Sequence, residues 1–137
     1  TLVFLEILQI LRTETNKIAR KKIYELYLDE KLNNKQSLNF EKRSFIEKLN
    51  GDFDEIGFLV EEFSLQEKLF PLYSDTIRRV WIALQNDIKK EQNERKKQDP
   101  ANLEFGYYFT QLATNAKKYR DKNNLKEPGI TDLRNYN

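Results

Sequence analysis

No cysteine, histidine or methionine occurs among the 137 residues of this chain. Without cysteine there is no disulfide framework, no thiol nucleophile and no thiolate-bound metal. Without histidine there is no imidazole base and no ordinary zinc or iron site. Glycine and proline are scarce, at four and three residues, too few for the turns of a loop-rich β protein. The glycines, at 51, 57, 106 and 129, never cluster, so no phosphate-cradling loop is present. The serines at 37, 44, 64 and 74 have no histidine to activate them, and no motif supports a serine–lysine arrangement. An enzyme is therefore not expected. Neither is a cofactor, a bound metal or a small-molecule ligand.

An excess of charge of one sign is also missing. The chain carries 24 basic and 22 acidic side chains, a net charge of +2, although 34% of its residues are charged. This describes a surface of interspersed charges rather than a dedicated polyanion binder. Residues 1–70 carry 11 basic and 13 acidic groups, and residues 71–137 carry 13 and 9, so the asymmetry is modest. The length suits one domain. A chain of this size buries about 68% of its unfolded surface, enough to fold without a disulfide or metal.

Apolar residues recur at three- and four-residue steps, the period of a helix. The first helix is predicted to be long, from about Leu2 to Leu32, on a stripe of Phe4, Leu8, Leu11, Thr15, Ile18, Leu26 and Tyr27. Asn33 to Gln36 read as a loop. A second helix starts near Ser37 or Leu38 and carries Phe45, Leu49, Phe53, Ile56, Val60 and Phe63. Gly51 reads as a break or kink in it. Gly57 lies near the stripe, where a missing side chain lets another helix approach. Ser64 to Glu67 fit a capping box that opens a new short helix, which Pro71 then interrupts. The next helix runs to Lys96 on Ile77, Val80, Trp81, Leu84 and Ile88. Its polar end, Lys89 to Gln98, projects into solvent. Asp99-Pro100 reads as the start of the last helix, which reaches about Asp121 on Phe105, Tyr108, Phe109, Leu112, Ala113, Ala116 and Tyr119. No strand pattern or internal repeat competes. The prediction is an all-α fold: an antiparallel bundle of about four main helices plus one short helix, with a long first helix. Residues 1–121 form the single domain and 122–137 an irregular tail.

Residues 49–60 (Leu49-Asn50, then Phe53-Asp54-Glu55-Ile56-Gly57-Phe58-Leu59-Val60), Val80-Trp81 with Leu84, and Tyr108-Phe109 with Leu112-Ala113 make a recognisable pattern. Over about residues 40–115 it resembles a domain of unknown function found in bacterial helical proteins, many with an N-terminal membrane segment. Gly51 stands as an insertion relative to that pattern. The resemblance implies a helical domain behind a membrane anchor and supplies no activity or catalytic residue.

The chain opens on Thr1 rather than Met, which reads as a processed chain or a piece of a longer one. Eight of its first eleven residues are apolar, Leu2 and Leu5 among them. Eleven residues are too short to cross a bilayer. They read either as an amphipathic start packed on the core or as the cytoplasmic end of an anchor, with Arg12, Lys17, Arg20, Lys21 and Lys22 following on the inside. No basic region or small-residue cleavage site marks a secretory signal. The expected location is cytoplasmic, at the cytoplasmic face of the membrane if the anchor reading holds.

Three further groups invite a function. Asp52, Asp54, Glu55, Glu61 and Glu62 form an acidic run, read as a solvated face. If Glu55 were buried, Arg78 or Arg79 would be its partner. Lys89 to Lys97 and Lys117 to Lys122 are basic stretches, and if their ends met they would form a phosphate-contacting patch with Tyr119. The aromatic residues read as core, with Tyr73, Tyr107 and Tyr108 as the candidates for an exposed partner surface; Tyr107, off the last helix's stripe, is the better indicator. The expected role is a non-enzymatic helical domain for protein association, with a partner or with itself, tethered to the membrane in the anchor reading. Its interaction surface is predicted at Leu2, Leu5, Tyr107, Lys96, Lys97 and Lys118. The alternative is a nucleic-acid-binding module using the basic ends of the last two helices, against which the small net charge counts.

Overall fold

The helical period of the apolar residues resolves into five α-helices in a computed structural model, which describes residues 2–33, 40–101 and 105–131. These are α1 (Leu2–Arg12), α2 (Glu14–Asn33), α3 (Phe40–Phe63), α4 (Gln66–Gln98) and α5 (Tyr107–Lys122). Among the described residues there is no strand. The fold is an all-α bundle, as predicted.

The long opening helix covers its predicted range but is divided at Thr13. The Thr13 hydroxyl donates to the Ile10 carbonyl and accepts from the Asn16 amide, and its own carbonyl accepts from Lys17. Thr13 thus ends one helix and caps the next. The break shifts the buried face. The predicted stripe fails beyond Leu11, since Thr15 and Ile18 are exposed, while Asn16, Ala19, Ile23 and Tyr24 are buried. Arg20 reaches back to donate to the Leu11 carbonyl at 2.7 Å, fixing α1 against the start of α2.

The boundary between α3 and α4 also differs from expectation. Ser64 has φ 53, and the Leu65 amide donates to the Val60 carbonyl five residues back, at 3.0 Å. This is a Schellman ending of α3, with Val60 and Leu65 both in the core. A serine in that conformation does not cap the following helix, and no side-chain cap bond forms there. The predicted short helix is instead the start of α4, which runs unbroken through Pro71. Pro71 is exposed in the second turn, where it forfeits one hydrogen bond without ending the helix. Gly51 likewise sits inside an uninterrupted α3. The expected opening of the next helix at Asp99-Pro100 is absent. Asp99 closes α4, and its carboxylate accepts from the Ala101 amide at 3.1 Å. The expected loop and helix start at 34–39 lie outside the described residues.

Helices α2 and α3 run antiparallel, as do α4 and α5. Asn16 meets Asp52 and Glu30 meets Lys42 across α2 and α3. Ser74 meets Arg120, Arg78 meets Ala113 and Gln92 meets Phe105 across α4 and α5. The core lies between α3, α4 and α5. Phe53 stacks on Phe109 with ring centroids 5.2 Å apart, and the Trp81 ring meets Phe109 edge-on at 5.2 Å. Ile7 and Leu11 of α1 complete its far side. A buried Lys42 joins three helices through Glu30 of α2 and Asp87 of α4. Burial pushes the Asp87 carboxyl above its ordinary value and Lys42 pulls it part of the way back.

Beyond α5 the described backbone, residues 123–131, is irregular yet strapped to the bundle. Buried Arg78 grips Glu127 with two bonds of 2.8 Å and also donates to the Ala113 carbonyl. Arg120 holds the Lys126 carbonyl and Arg79 the Gly129 carbonyl. Pro128 is buried beneath them. The Arg78 guanidinium holds the Glu127 carboxyl below its ordinary 4.5, against a smaller upward push from burial. A carboxyl lowered on folding stabilises the fold above its unfolded value, and that stability is lost as pH falls through the folded value. Glu127→Gln should therefore lower stability at neutral pH by about 1 kcal/mol. Thermal melts across the acid range should show a shallower acid destabilisation in this variant than in the parent chain.

Candidate functional site

The start of α5 cannot cap itself. Its N-cap is Gly106, at φ 67, which has no side chain to offer. A Cβ at 106 would fall 2.9 Å from Ile88 Cγ2 and 3.0 Å from Asn50 Oδ1, so glycine suits both the backbone and the space. The missing acceptor comes from α3. Asp54 Oδ1 accepts from the Phe109 amide at 2.9 Å, and the Tyr108 amide also favours its charged form. Burial nevertheless pushes the Asp54 carboxyl above its ordinary value. One turn further along α3, Gly57 faces the Tyr108 backbone. A Cβ there would overlap the Tyr108 carbonyl, lying 2.7 Å from its carbon. The i, i+3 pair Asp54 and Gly57 therefore shares one face and docks α5 backbone to backbone.

This joint places three rings on the outside of α3 and α5. Phe58 meets Tyr108 edge-on at 5.2 Å, and Tyr108 meets Tyr107 edge-on at 5.1 Å. Phe58 and Tyr107 remain 43% and 44% exposed. Glu55, Glu61 and Glu62 stand three or four residues from Phe58 on the same side of α3 and are exposed. No basic residue occurs from 52 to 67, and no described cation pairs with these three. Glu61 and Glu62 also sit in the last turn of α3, which contains no basic residue. Negative charge at a helix C-terminus opposes the macrodipole and costs about 0.3–1 kcal/mol each.

The acidic run is thus divided. Asp52 accepts from Asn16 and pairs with Lys48, and Asp54 is a cap. Among the described residues, no three acidic side chains converge in the manner of a cation site. Glu55 is exposed, contrary to the pairing considered for it. Arg78 faces α5 and takes Glu127, while Arg79 pairs with Asp75 on its own helix.

The predicted surface residues do not form one surface. Leu2 and Leu5, 80% and 54% exposed, lie on the outer face of α1, whose Ile7, Leu8 and Leu11 are buried. Tyr107 and Lys96 meet in a shallow groove of about 170 Å³ with Gln92, Arg95 and Phe105. There the Arg95 guanidinium lies 4.4 Å from the Phe105 ring centre. Lys97 is exposed on α4 beside Glu94. Lys118 is exposed on α5, eleven residues or about 16 Å along the helix from Tyr107. Because α5 runs antiparallel to α4, the two basic stretches lie at opposite ends of the pair. The patch that required their meeting does not form. Lys117 pairs with Asp121 and Arg120 holds the strap.

No family model, curated protein or solved structure matches the chain. Many of the residues behind the family resemblance have a packing role, whereas Glu55 and Phe58 are exposed. Asp54 and Gly57 make the α3–α5 joint, and Phe53, Trp81 and Phe109 make the core. Sequence reasoning anticipated the exposure of Tyr107 and the approach at Gly57, and it missed Asp54 as a cap. The available signal was the i, i+3 spacing of an aspartate and a glycine on one helix.

The two interior glycines of α3 give opposite expectations. A Cβ at Gly51 meets nothing within 4 Å, so Gly51→Ala should raise stability by up to about 1 kcal/mol in a denaturant titration. Gly57→Ala should lower it by about 3 kcal/mol and separate α5 from α3. The pair Glu61→Lys and Glu62→Lys should raise the melting temperature, since it reverses charges at an unfavourable helix end.

Proposed function

We propose that this chain is a non-enzymatic helical domain that binds another protein through the Phe58–Tyr108–Tyr107 face. The observation that carries the reading is the exposure of Phe58 and Tyr107 at 43% and 44% beside a third ring in edge-to-face contact. Large aromatic side chains grouped in one exposed patch and fixed by a rigid joint supply contact area at little cost in conformational entropy. Single exposed apolar residues, such as Leu72 on α4, carry no such implication.

A second contact is supported by α1. It buries one side and exposes Leu2 and Leu5 on the other, the pattern of a helix that also lies against a partner or a lipid surface. No described helix is long and apolar enough to cross a membrane. On this reading, α1 touches a membrane from its surface or continues from an anchor, as the family resemblance implies.

Photo-crosslinking in cells tests both contacts. A benzophenone side chain at position 107 should give a discrete protein adduct, and the same group at exposed Thr114 of α5 should not. Equal adducts at both positions, or none at 107, would remove the aromatic face as a binding surface. The probe at position 5 should crosslink to lipid or protein if α1 makes the second contact, and to neither if α1 is only core.

A further inference from the structure

We infer that the aromatic face takes a basic segment of another protein, its arginine or lysine heads seated on the Phe58 and Tyr108 rings between Glu55, Glu61 and Glu62. The inference rests on the reading that this face binds protein, and it names the chemistry of the partner. Phe58 packs edge-to-face on Tyr108 at 81° and keeps 43% of its surface exposed. Aromatic faces attract cations through their quadrupole, arginine above all. The charges of α3 beside Phe58 are of one sign. Glu55, Glu61 and Glu62 are exposed, no described cation pairs with them, and the C-terminal end of the α3 dipole adds to their field.

Several other described charges are paired within their own helices or spent on a cap. Arg95 pairs with Glu91 and Lys97 with Glu94, each within α4. Asp52 is paired with Lys48, and Asp54 is spent on the start of α5. Glu61 and Glu62 stand in a helix turn where they oppose the dipole. Carboxylates placed against stability and beside exposed rings fit a surface that is completed by a cationic partner. The same field repels nucleic acid and acidic peptides from this face.

The test uses the full chain, with isotope-labelled aromatic residues, titrated with an arginine–serine peptide and with a glutamate–serine peptide of equal length. The arginine peptide should shift the Phe58, Tyr107 and Tyr108 ring signals to saturation, and the glutamate peptide should not. Phe58→Ala should weaken binding about fivefold. Glu61→Lys with Glu62→Lys should weaken it more than tenfold while the melting temperature does not fall, which separates lost binding from lost folding. Added salt should weaken it as well. Equal shifts from both peptides, shifts confined to other residues, or an unchanged affinity after charge reversal would overturn the inference. A chain that is already dimeric by sedimentation, and that Phe58→Ala makes monomeric, would place a second copy on this face and overturn it too. Failure here with a protein adduct retained at position 107 sinks the basic partner and leaves the association reading standing.

Discussion

The α3 and α5 backbones meet at Gly57 and Tyr108 more closely than any side chain at position 57 allows, and much of the bundle follows from that approach. It sets the spacing at which Phe53 stacks on Phe109 and Phe109 receives the edge of Trp81. It brings Asp54 within reach of the first amides of α5, a helix whose own cap is a glycine. Four N–H groups at a helix start need acceptors, and here a neighbouring helix provides one. Local order in α5 therefore depends on a tertiary contact. The docking and the initiation of that helix are one event, with the outward tilt of Tyr107 and Tyr108 as its product.

Much of the fold was legible because burial imposes a period. Ile77, Val80, Trp81, Leu84 and Ile88 recur as a helix requires, and all five are buried. The strongest local signals misled where a tertiary or backbone preference overrode them. Ser64 has the sequence context of a cap, but the chain uses it in the left-handed conformation that ends α3. Asp99 precedes a proline in the manner of a helix start, yet its carboxylate closes a turn after α4. Thr13 carries only a weak cap signal, and after it the buried face at the start of α2 is shifted by one residue, to Asn16 and Ala19. The aromatic face was half legible. Tyr107 stood off its stripe, whereas Phe58 looked like one more apolar residue until the position of α5 showed which side of α3 it occupies.

Buried polar groups in this bundle follow a common pattern. Lys42 lies between Glu30 and Asp87, Arg78 between the Ala113 carbonyl and Glu127, and Asn16 against Asp52. Each sits at a crossing of two or three helices. A buried charge is tolerable only with its partners in place, so these groups penalise shifted packings of the same helices. The rings at 58, 107 and 108 lie outside that system. Their exposure is not a by-product of repairing a core defect, and this separates them from the half-buried Phe45 and Tyr119 that line the core.

The overhang of α4 gives the chain an unusual electrical character. From Ile88, the last core residue of the helix, to Gln98 is ten residues, about 15 Å of rod. The screening length at physiological ionic strength is about 8 Å. Lys97 also stands about 45 Å along α4 from Gln66, beside which α3 ends, so it is electrically remote from Glu61 and Glu62, although one short chain carries both. A net charge of +2 describes neither end. Residues 89–98 carry five basic and two acidic side chains, whereas residues 52–62 of α3 carry five acidic and no basic ones, so a strongly charged surface would act on the two segments in opposite senses.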